Sequence, residues 1–199
     1  MKFILGKKQN MTQVFNEDGK VIPATVVSAG PISAVQLKTK EKDGYEAVVF
    51  GFGQKKEKNV HKAQRKLGNF AHLKEYRPED GETKAELGSV LDVSAFNEGD
   101  IVEVSGISKG KGFQGVVKRH GFKGGQRTHG QKHSERKPGS IGGGLRTRVP
   151  SGMRMAGRMG SDRVTVKNLK IVKIDKDKNQ FLISGAVPGS RGTLLEIRG

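Results

Sequence analysis

Short apolar stretches alternate with turn residues through the first fifty positions. The apolar stretches are rich in β-branched and aromatic side chains, and the segments between them contain Asn, Asp, Gly or Pro. This alternation predicts antiparallel strands joined by hairpins. The predicted strands span 12–15, 21–28, 32–37 and 45–52.

The pattern changes between residues 59 and 99. Residues 59–73 are rich in Lys, Ala, Gln, Arg and Leu, which predicts a helix with a break at Gly68 and Asn69. Residues 75–99 are more acidic and are interrupted by Pro and Gly. We therefore expect residues 41–95 to form a small α/β insertion.

Strand periodicity returns at 100–105 and, after a long interruption, again from residue 164. The later strands are predicted over 164–174, 181–187 and 193–197, with turns at 175–179 and 188–192. The simplest arrangement is a Greek-key-like β-barrel that is split in the sequence, so that the N-terminal strands close with the C-terminal ones. The predicted fold class is mainly β. The barrel is expected to comprise 1–40 and 96–199, with a long basic, Gly-rich loop at 123–160.

The interruption between these strands carries most of the charge of the chain. The chain has 199 residues and a formal net charge of +17, and residues 106–163, the basic region, contain fourteen Lys or Arg against Glu135 and Asp162. The basic region thus accounts for +12 of the total, and a localised excess predicts a surface for a polyanion. Its loop at 123–160 has too few apolar residues for a core, so we expect it to order on a partner.

Composition narrows the class of partner and protein. No apolar run approaches the roughly 18 to 20 residues of a membrane-spanning helix, so nucleic acid is favoured over a membrane. DNA is disfavoured because no helix-turn-helix, finger or basic-zipper pattern occurs. The absence of cysteine excludes disulfides and thiolate chemistry, and the polar N-terminal residues do not resemble a secretory signal. A cytoplasmic location is expected.

Three kinds of residue in the basic region are candidates for contact with RNA. Cationic and imidazole groups would contact phosphates, sugars or bases. Phe113 and Phe122 either stack on unpaired bases or anchor the loop to the barrel, and anchoring is the favoured interpretation. The first group comprises Lys109, Lys111, Lys118, Arg119, His120, Lys123, Arg127, His129, Lys132, His133, Arg136, Lys137, Arg146, Arg148, Arg154, Arg158 and Arg163. Glycines that would allow close backbone approach are Gly110, Gly112, Gly115, Gly139 and Gly142.

No pattern predicts catalysis, a metal or a cofactor. His129 and His133 have a metal-like spacing on a helix, but the glycine content argues against a helix and no cysteine completes a site. The glycine run at 139–144 lacks the Gly-Lys-Ser/Thr ending of a P-loop, and no nucleophile elbow is present. We expect a protein that is not an enzyme.

Several short motifs, in order along nearly the whole chain, resemble the bacterial form of the family of universal large-ribosomal-subunit protein three. Each motif alone is weak, and together they are highly specific. They are ILGK at 4–7, MTQVF at 11–15, GDIVEV at 99–104, SKGKGFQG at 108–115, KRH at 118–120, THG at 128–130, PGSIG at 138–142, MAG at 155–157 and GAVPG at 185–189.

The resemblance implies a barrel of the kind shared with translation factors and a structural constituent of the large ribosomal subunit. It implies that the loop threads into large-subunit (23S-type) rRNA toward the peptidyl-transferase centre, and that the protein acts early in subunit assembly. The implied partners are this rRNA and neighbouring large-subunit proteins, with no membrane and no homo-oligomer. The charge alone would also suit a free RNA chaperone or a generic nucleic-acid-binding protein.

Two positions depart from the family pattern. Asn10 stands where the family usually has glycine, and asparagine also tolerates a left-handed backbone. The loop tip at 143–152 reads GGLRTRVPSG in place of a TPGRV-like run, with no glutamine between Lys132 and Asn179. The glutamine methylation found in some members is therefore not predicted here.

Overall fold

The computed structural model describes residues 2–78, 85–144 and 147–199. The chain divides by its internal contacts into two compact units. The barrel unit comprises Met1–Ile107 and Arg163–Gly199, and the extension comprises Ser108–Asp162. The domain limits predicted at 40/41 and 95/96 stay a prediction.

Most of the regular structure is β. The strands are β1 (Phe3–Phe15), β2 (Val21–Ala29), β3 (Ile32–Lys38), β4 (Ala47–Gln54), β5 (Phe70–Tyr76), β6 (Val90–Leu91), β7 (Ile101–Ile107), β8 (Phe113–Gln114), β9 (Gly157–Arg158), β10 (Arg163–Asp175), β11 (Gln180–Ser184) and β12 (Leu194–Arg198). The helices are α1 (Lys40–Asp43) and α2 (Val116–His120), with 3-10 turns at Glu57–Asn59, Lys62–Leu67 and Val93–Ala95. In the described ranges no helix is long and apolar enough to cross a bilayer.

Six antiparallel strands close into a barrel in the order β1, β12, β7, β10, β11, β2. Gly6 of β1 lies opposite both Leu195 of β12 and Ala29 of β2, so the two ends of the chain meet at this strand. A Cβ at Gly6 would lie 2.9 Å from the Ser28 carbonyl oxygen, which explains why glycine is needed at this close approach. The predicted mainly-β fold with a split barrel is confirmed.

The barrel unit is held by an apolar core. Phe181 is fully buried and packs edge to face on Phe96, with ring centroids 5.3 Å apart. Phe3 stacks on Tyr76 of β5 at 4.5 Å, so the core continues from the barrel into the second sheet. Burial of each large apolar side chain contributes about 1.5 to 3 kcal/mol, which makes this core the main source of stability.

The second sheet has the strand order β5, β4, β3, β6. Of the helix predicted over 59–73, a 3-10 helix forms at Lys62–Leu67 and ends at the predicted break at Gly68 and Asn69. The part of the prediction after the break is wrong, because strand β5 follows. Pairing with β4 overrides the local helix propensity: Phe52 lies opposite His72, and the Phe70 ring covers Gly51. The strand predicted at 32–37 is confirmed, but it pairs within this sheet and not within the barrel.

The turns predicted in the C-terminal third are confirmed. The chain turns between β10 and β11, where Asn179 has a φ of 50°, and again between β11 and β12. Asn10 lies at an irregularity of β1 between Lys8 and Met11. It is not among the described residues with positive φ, so asparagine causes no left-handed strain there.

Candidate nucleic-acid interface

The extension begins and ends in a two-stranded stem. Phe113 of β8 lies opposite Arg158 of β9. The ladder continues toward the two ends of the extension, because the Lys111 amide donates to the Met159 carbonyl at 2.9 Å and the Met159 amide donates to the Gly112 carbonyl at 3.0 Å. Backbone hydrogen bonds therefore fix the base of the extension.

Close backbone approach is a property of this stem. A Cβ at Gly160 would lie 2.2 Å from the Lys109 carbonyl oxygen, and one at Gly110 would lie 3.1 Å from Ser161 Oγ. Gly110 thus lies close to another part of the chain, and its predicted approach to a phosphate stays a prediction. The Cβ positions of the other four candidate glycines meet nothing within 4 Å: Gly112, Gly115, Gly139 and Gly142. All four residues are exposed.

A short helix, α2, follows the stem. Gly115 precedes it and Gly121, with a φ of 72°, ends it in the left-handed conformation that glycine adopts without strain. Val116 is buried, whereas Lys118, Arg119 and His120 occupy the last turn. Cations at a helix C-terminus interact favourably with the helix dipole, so the sequence KRH suits this position.

Two of the predicted contact residues hold the returning chain. Arg119 Nη1 donates to the Met155 carbonyl at 2.8 Å, and His120 Nε2 lies 3.0 Å from the same oxygen. The guanidinium covers Gly157, where a Cβ would lie 2.6 Å from Nη1. Because a guanidinium has five N–H donors, Arg119 keeps further donors while it positions the loop.

The two phenylalanines differ in exposure. Phe122 is half-buried, and the Arg154 guanidinium lies over its ring at 5.2 Å from the centroid. Phe113 is 73% exposed. A ring this exposed is not part of an apolar core, and base stacking stays a prediction for Phe113.

Glycines also bring the two sides of the loop together farther out. The Gly125 amide donates to the Glu135 carbonyl at 2.9 Å, and Arg127 Nε donates to the Glu135 carboxylate at 2.7 Å. His129 and His133 both have positive φ, at 59° and 56°. They therefore do not lie on a helix, and their spacing of four does not place them on one face.

An open cleft of about 740 Å³ lies beside this contact. Its lining includes the Phe122 ring, Lys123, Lys137 and the backbone at Gly139. An aromatic face next to two cations and accessible amide backbone is the combination that binds single-stranded nucleic acid, by base stacking and phosphate neutralisation.

Most of the predicted cationic contacts face solvent. The exposed residues among them are Lys109, Lys111, Lys118, Lys123, Arg127, His129, Lys132, His133, Arg136, Lys137, Arg148, Arg154 and Arg158. Arg146 lies outside the described residues. Arg163 belongs to the barrel unit, where its guanidinium pairs with the Glu196 carboxylate, and its contact with RNA stays a prediction. Within 123–144 and 147–160 no residue is buried, which confirms that this loop has no core of its own.

Sequence reasoning missed the internal roles of Arg119, His120 and Arg154. Charge alone assigns all three to RNA, yet each also makes a contact within the extension. The flanking glycines at Gly115 and Gly121 are a local signal for Arg119 and His120, because they mark the helical turn that carries these two side chains. No such signal flanks Arg154.

The chain is similar to known proteins over a length that includes the extension. The model of the family described as ribosomal protein L3 matches residues 53–185. The large ribosomal subunit protein uL3 of Finegoldia magna is 47% identical, with 100% of this chain and 97% of that protein covered. The uL3 protein of Herpetosiphon aurantiacus is 50% identical, with 98% of this chain and 94% of that protein covered. The uL3 protein of Chloroherpeton thalassium is 48% identical, with 99% of this chain and 98% of that protein covered. The resemblance seen in the sequence motifs is confirmed, and the chain belongs to the ribosomal protein L3 family.

Proposed function

We propose that this chain is a structural constituent of the large ribosomal subunit and binds 23S-type rRNA through its extension. One observation carries the proposal: the described parts of the loop have many exposed cations and no buried side chain. A segment that cannot bury apolar surface within itself gains its order from a partner. Family membership and the names of the relatives support the ribosome, in the cytoplasm, as its location.

The affinity in this proposal comes mainly from phosphate neutralisation. Each cation that contacts a phosphate releases counterions, so binding weakens steeply as salt increases. Contacts to phosphate fix the position of the protein, whereas the cleft beside Phe122 and the exposed Phe113 ring would bind unstacked bases. The role is structural, and the partner is RNA together with neighbouring large-subunit proteins.

The family resemblance supports a finer proposal for the loop. Residues 123–160 would thread between rRNA helices toward the peptidyl-transferase centre, with the accessible glycine backbone at Gly139 and Gly142 fitting where a side chain would not. Such a loop cannot be inserted after the RNA has closed around it. Binding early in subunit assembly follows from this order of events.

Sedimentation tests the main proposal. Lysate is washed in high salt and separated on a sucrose gradient, and this chain is quantified against large-subunit rRNA. We expect close to one copy per large subunit, retained after the wash. Release to the top fractions would contradict the proposal and would favour a free RNA chaperone.

A shortened loop tests the role of the extension. Residues 124–152 are replaced by four glycines, which keeps the stem and the contact of Arg119 with Met155. The Arg154 guanidinium already lies over Phe122, so the two sides of the loop are close at this level. We expect an unchanged unfolding midpoint of the barrel unit but defective large subunits.

The control inserts the same four glycines into the turn between β1 and β2, after Asp18. This change also alters an exposed loop but leaves the extension intact. Normal subunits from the shortened-loop strain would refute a structural role for the loop, and equal defects in both strains would show that the effect is not specific to it.

A further inference from the structure

A second concentration of positive charge lies in the barrel unit. Residues 55–66, the second basic segment, contain six Lys or Arg and a single acid, Glu57. The cations are Lys55, Lys56, Lys58, Lys62, Arg65 and Lys66. Outside the basic region and this segment, the chain has seventeen basic and seventeen acidic residues. The whole formal net charge of +17 is therefore contained in two segments.

The structure fixes the second basic segment at the surface. It connects β4 to β5 through the 3-10 turns at Glu57–Asn59 and Lys62–Leu67. Val60 is buried and anchors the middle, and the Lys55 amide donates to the Asn69 carbonyl at 2.9 Å. Every other residue from 56 to 66 is exposed. The segment thus presents its cations outward from a defined backbone.

These cations lack acidic partners in the described structure. Elsewhere in the barrel unit Lys2 pairs with Asp100, Lys38 with Glu75, and Lys74 with Glu196. Between the second basic segment and the rest of the described chain no ion pair forms. Within the described residues, the positive field of the segment is therefore not compensated by ion pairing.

Cations of neighbouring strands extend the same surface. Lys7 Nζ lies 6.0 Å from the centre of the Phe52 ring, which stacks on His72. Burial, together with the charges of Lys7, Lys55 and Lys74, lowers the pKa of His72 below its ordinary value. Lys7 of β1 thus adds positive charge near Lys55, where the segment begins.

We infer that residues 55–66 form a second phosphate-binding surface, which contacts the backbone of large-subunit rRNA independently of the extension. The inference rests on the proposed function for the identity of the RNA. Lys62 and Arg65 lie three residues apart on a 3-10 helix, so they share one face with an axial rise of about 6 Å. That rise is comparable to the separation of successive phosphates along one RNA strand. A polyanion matches this row of cations without needing a pocket.

The salt dependence of RNA binding tests the inference. The full chain and the variant K62A/R65A/K66A are titrated with a 23S-type rRNA transcript over a range of salt concentrations. All three side chains are exposed, and Val60 is retained, so the variant is expected to fold. We expect the slope of log K against log salt to decrease by about 0.7 to 0.9 for each phosphate that the variant no longer neutralises.

The variant K20A/K40A/K42A is the matched control. It removes the same three charges from exposed positions of the barrel unit, two of which alternate with Glu41 and Asp43. A smaller slope in the first variant alone supports the inference. Equal slopes in all three proteins, or equal reductions in both variants, overturn it.

Footprinting of the bound transcript separates this inference from the proposed function. The K62A/R65A/K66A variant should fail to protect nucleotides that the shortened-loop protein still protects. Reduced protection at the same nucleotides in both would show that the segment has no site of its own. If the unaltered chain gives no footprint, the proposed function itself fails.

Discussion

The barrel unit and the extension obtain their shape in different ways. In the barrel unit, apolar side chains such as Phe181 and Ile197 face inward and are fully buried. In the described part of the extension only Val116 is buried. Its geometry comes instead from the stem ladder, from close approach at Gly160 and from the contacts of Met155. A chain can therefore fix a backbone path without a core, provided that hydrogen bonds and glycines define it.

The two units also treat charge differently. The barrel unit pairs several of its cations, for example Lys2 with Asp100 and Lys74 with Glu196. Among the described cations of the extension, ion pairing is limited to Arg127 with Glu135. Surface ion pairs add little stability, at most about 1 kcal/mol each. The difference matters for binding, because unpaired cations remain available to phosphate.

The sharpest test of the comparison is a pair of phenylalanine substitutions. F181A removes a ring that is fully buried against Phe96, and the cavity should cost about 3 to 5 kcal/mol of unfolding free energy. F113A removes a ring that is 73% exposed and should change stability by no more than about 0.5 kcal/mol. Urea unfolding of the two variants measures both values. A cost for F113A close to that for F181A would mean that the extension has a core after all.

A smaller effect is expected at the base of the extension. G160A places a methyl group 2.2 Å from the Lys109 carbonyl oxygen at a residue with a φ of +80°. The stem should open at a cost on the order of 1 to 3 kcal/mol. Amide hydrogen exchange at Lys111 and Met159, which form the ladder, should accelerate roughly tenfold or more, since about 1.4 kcal/mol is a factor of ten.

G152A is the matched control for the stem. Gly152 has a φ of +77°, but nothing lies within 4 Å of its Cβ position. The control therefore carries the same backbone strain without the collision. Unchanged exchange at Lys111 in G160A, or equal acceleration in both variants, would refute the claim that close approach holds the stem.

The sequence predicted the barrel well because its signals are local. Alternating β-branched residues and turn residues identified β1, β2, β10, β11 and β12 within a few positions for most ends. The helix predicted over 59–73 failed after the break at Gly68 and Asn69 because the residues of β5 have helical composition but pair with β4, and pairing depends on distant residues such as Phe52. Propensity does not contain that information.

The site was predictable by region and less so by residue. Charge density identified the extension, and most of its described cations are exposed as expected. Charge alone did not reveal that Arg119 contacts Met155 or that Arg163 pairs with Glu196, since both contacts join residues more than thirty positions apart. The second basic segment was overlooked for a different reason. Acidic residues elsewhere in the barrel unit offset its cations when the net charge is summed over the whole unit.

Removing a buried and an exposed hydroxyl group should give a still smaller difference in stability between the two units. Thr25 is fully buried, and its Oγ1 donates to the Gly185 carbonyl at 2.7 Å. T25V keeps the shape but leaves that carbonyl without this donor, so we expect a decrease in stability of about 1 to 2 kcal/mol. In the extension, S140A removes an exposed hydroxyl that donates to Gly142 and should be nearly neutral. Thermal unfolding compares the two, and a neutral T25V would show that buried polar contacts contribute little to the barrel unit.

The smallest effect concerns His72, which lies near the start of the second basic segment within the barrel unit. Burial and the nearby charges of Lys7 and Lys55 lower the pKa of His72 below its ordinary value of 6.5, so the unfolded chain takes up this proton more readily than the folded one. Protonation therefore favours unfolding, and stability should fall as the pH drops through 6.5 toward the lowered folded pKa, with no contribution from this group well above 6.5. H72Q should flatten the dependence between pH 7 and 5, and K55M should flatten it in part because it removes one of the repelling charges. Identical pH profiles for the unaltered chain and H72Q would show that neither burial nor the nearby positive charges lower the pKa of His72 in solution, which would weaken the case for a concentrated field at this surface.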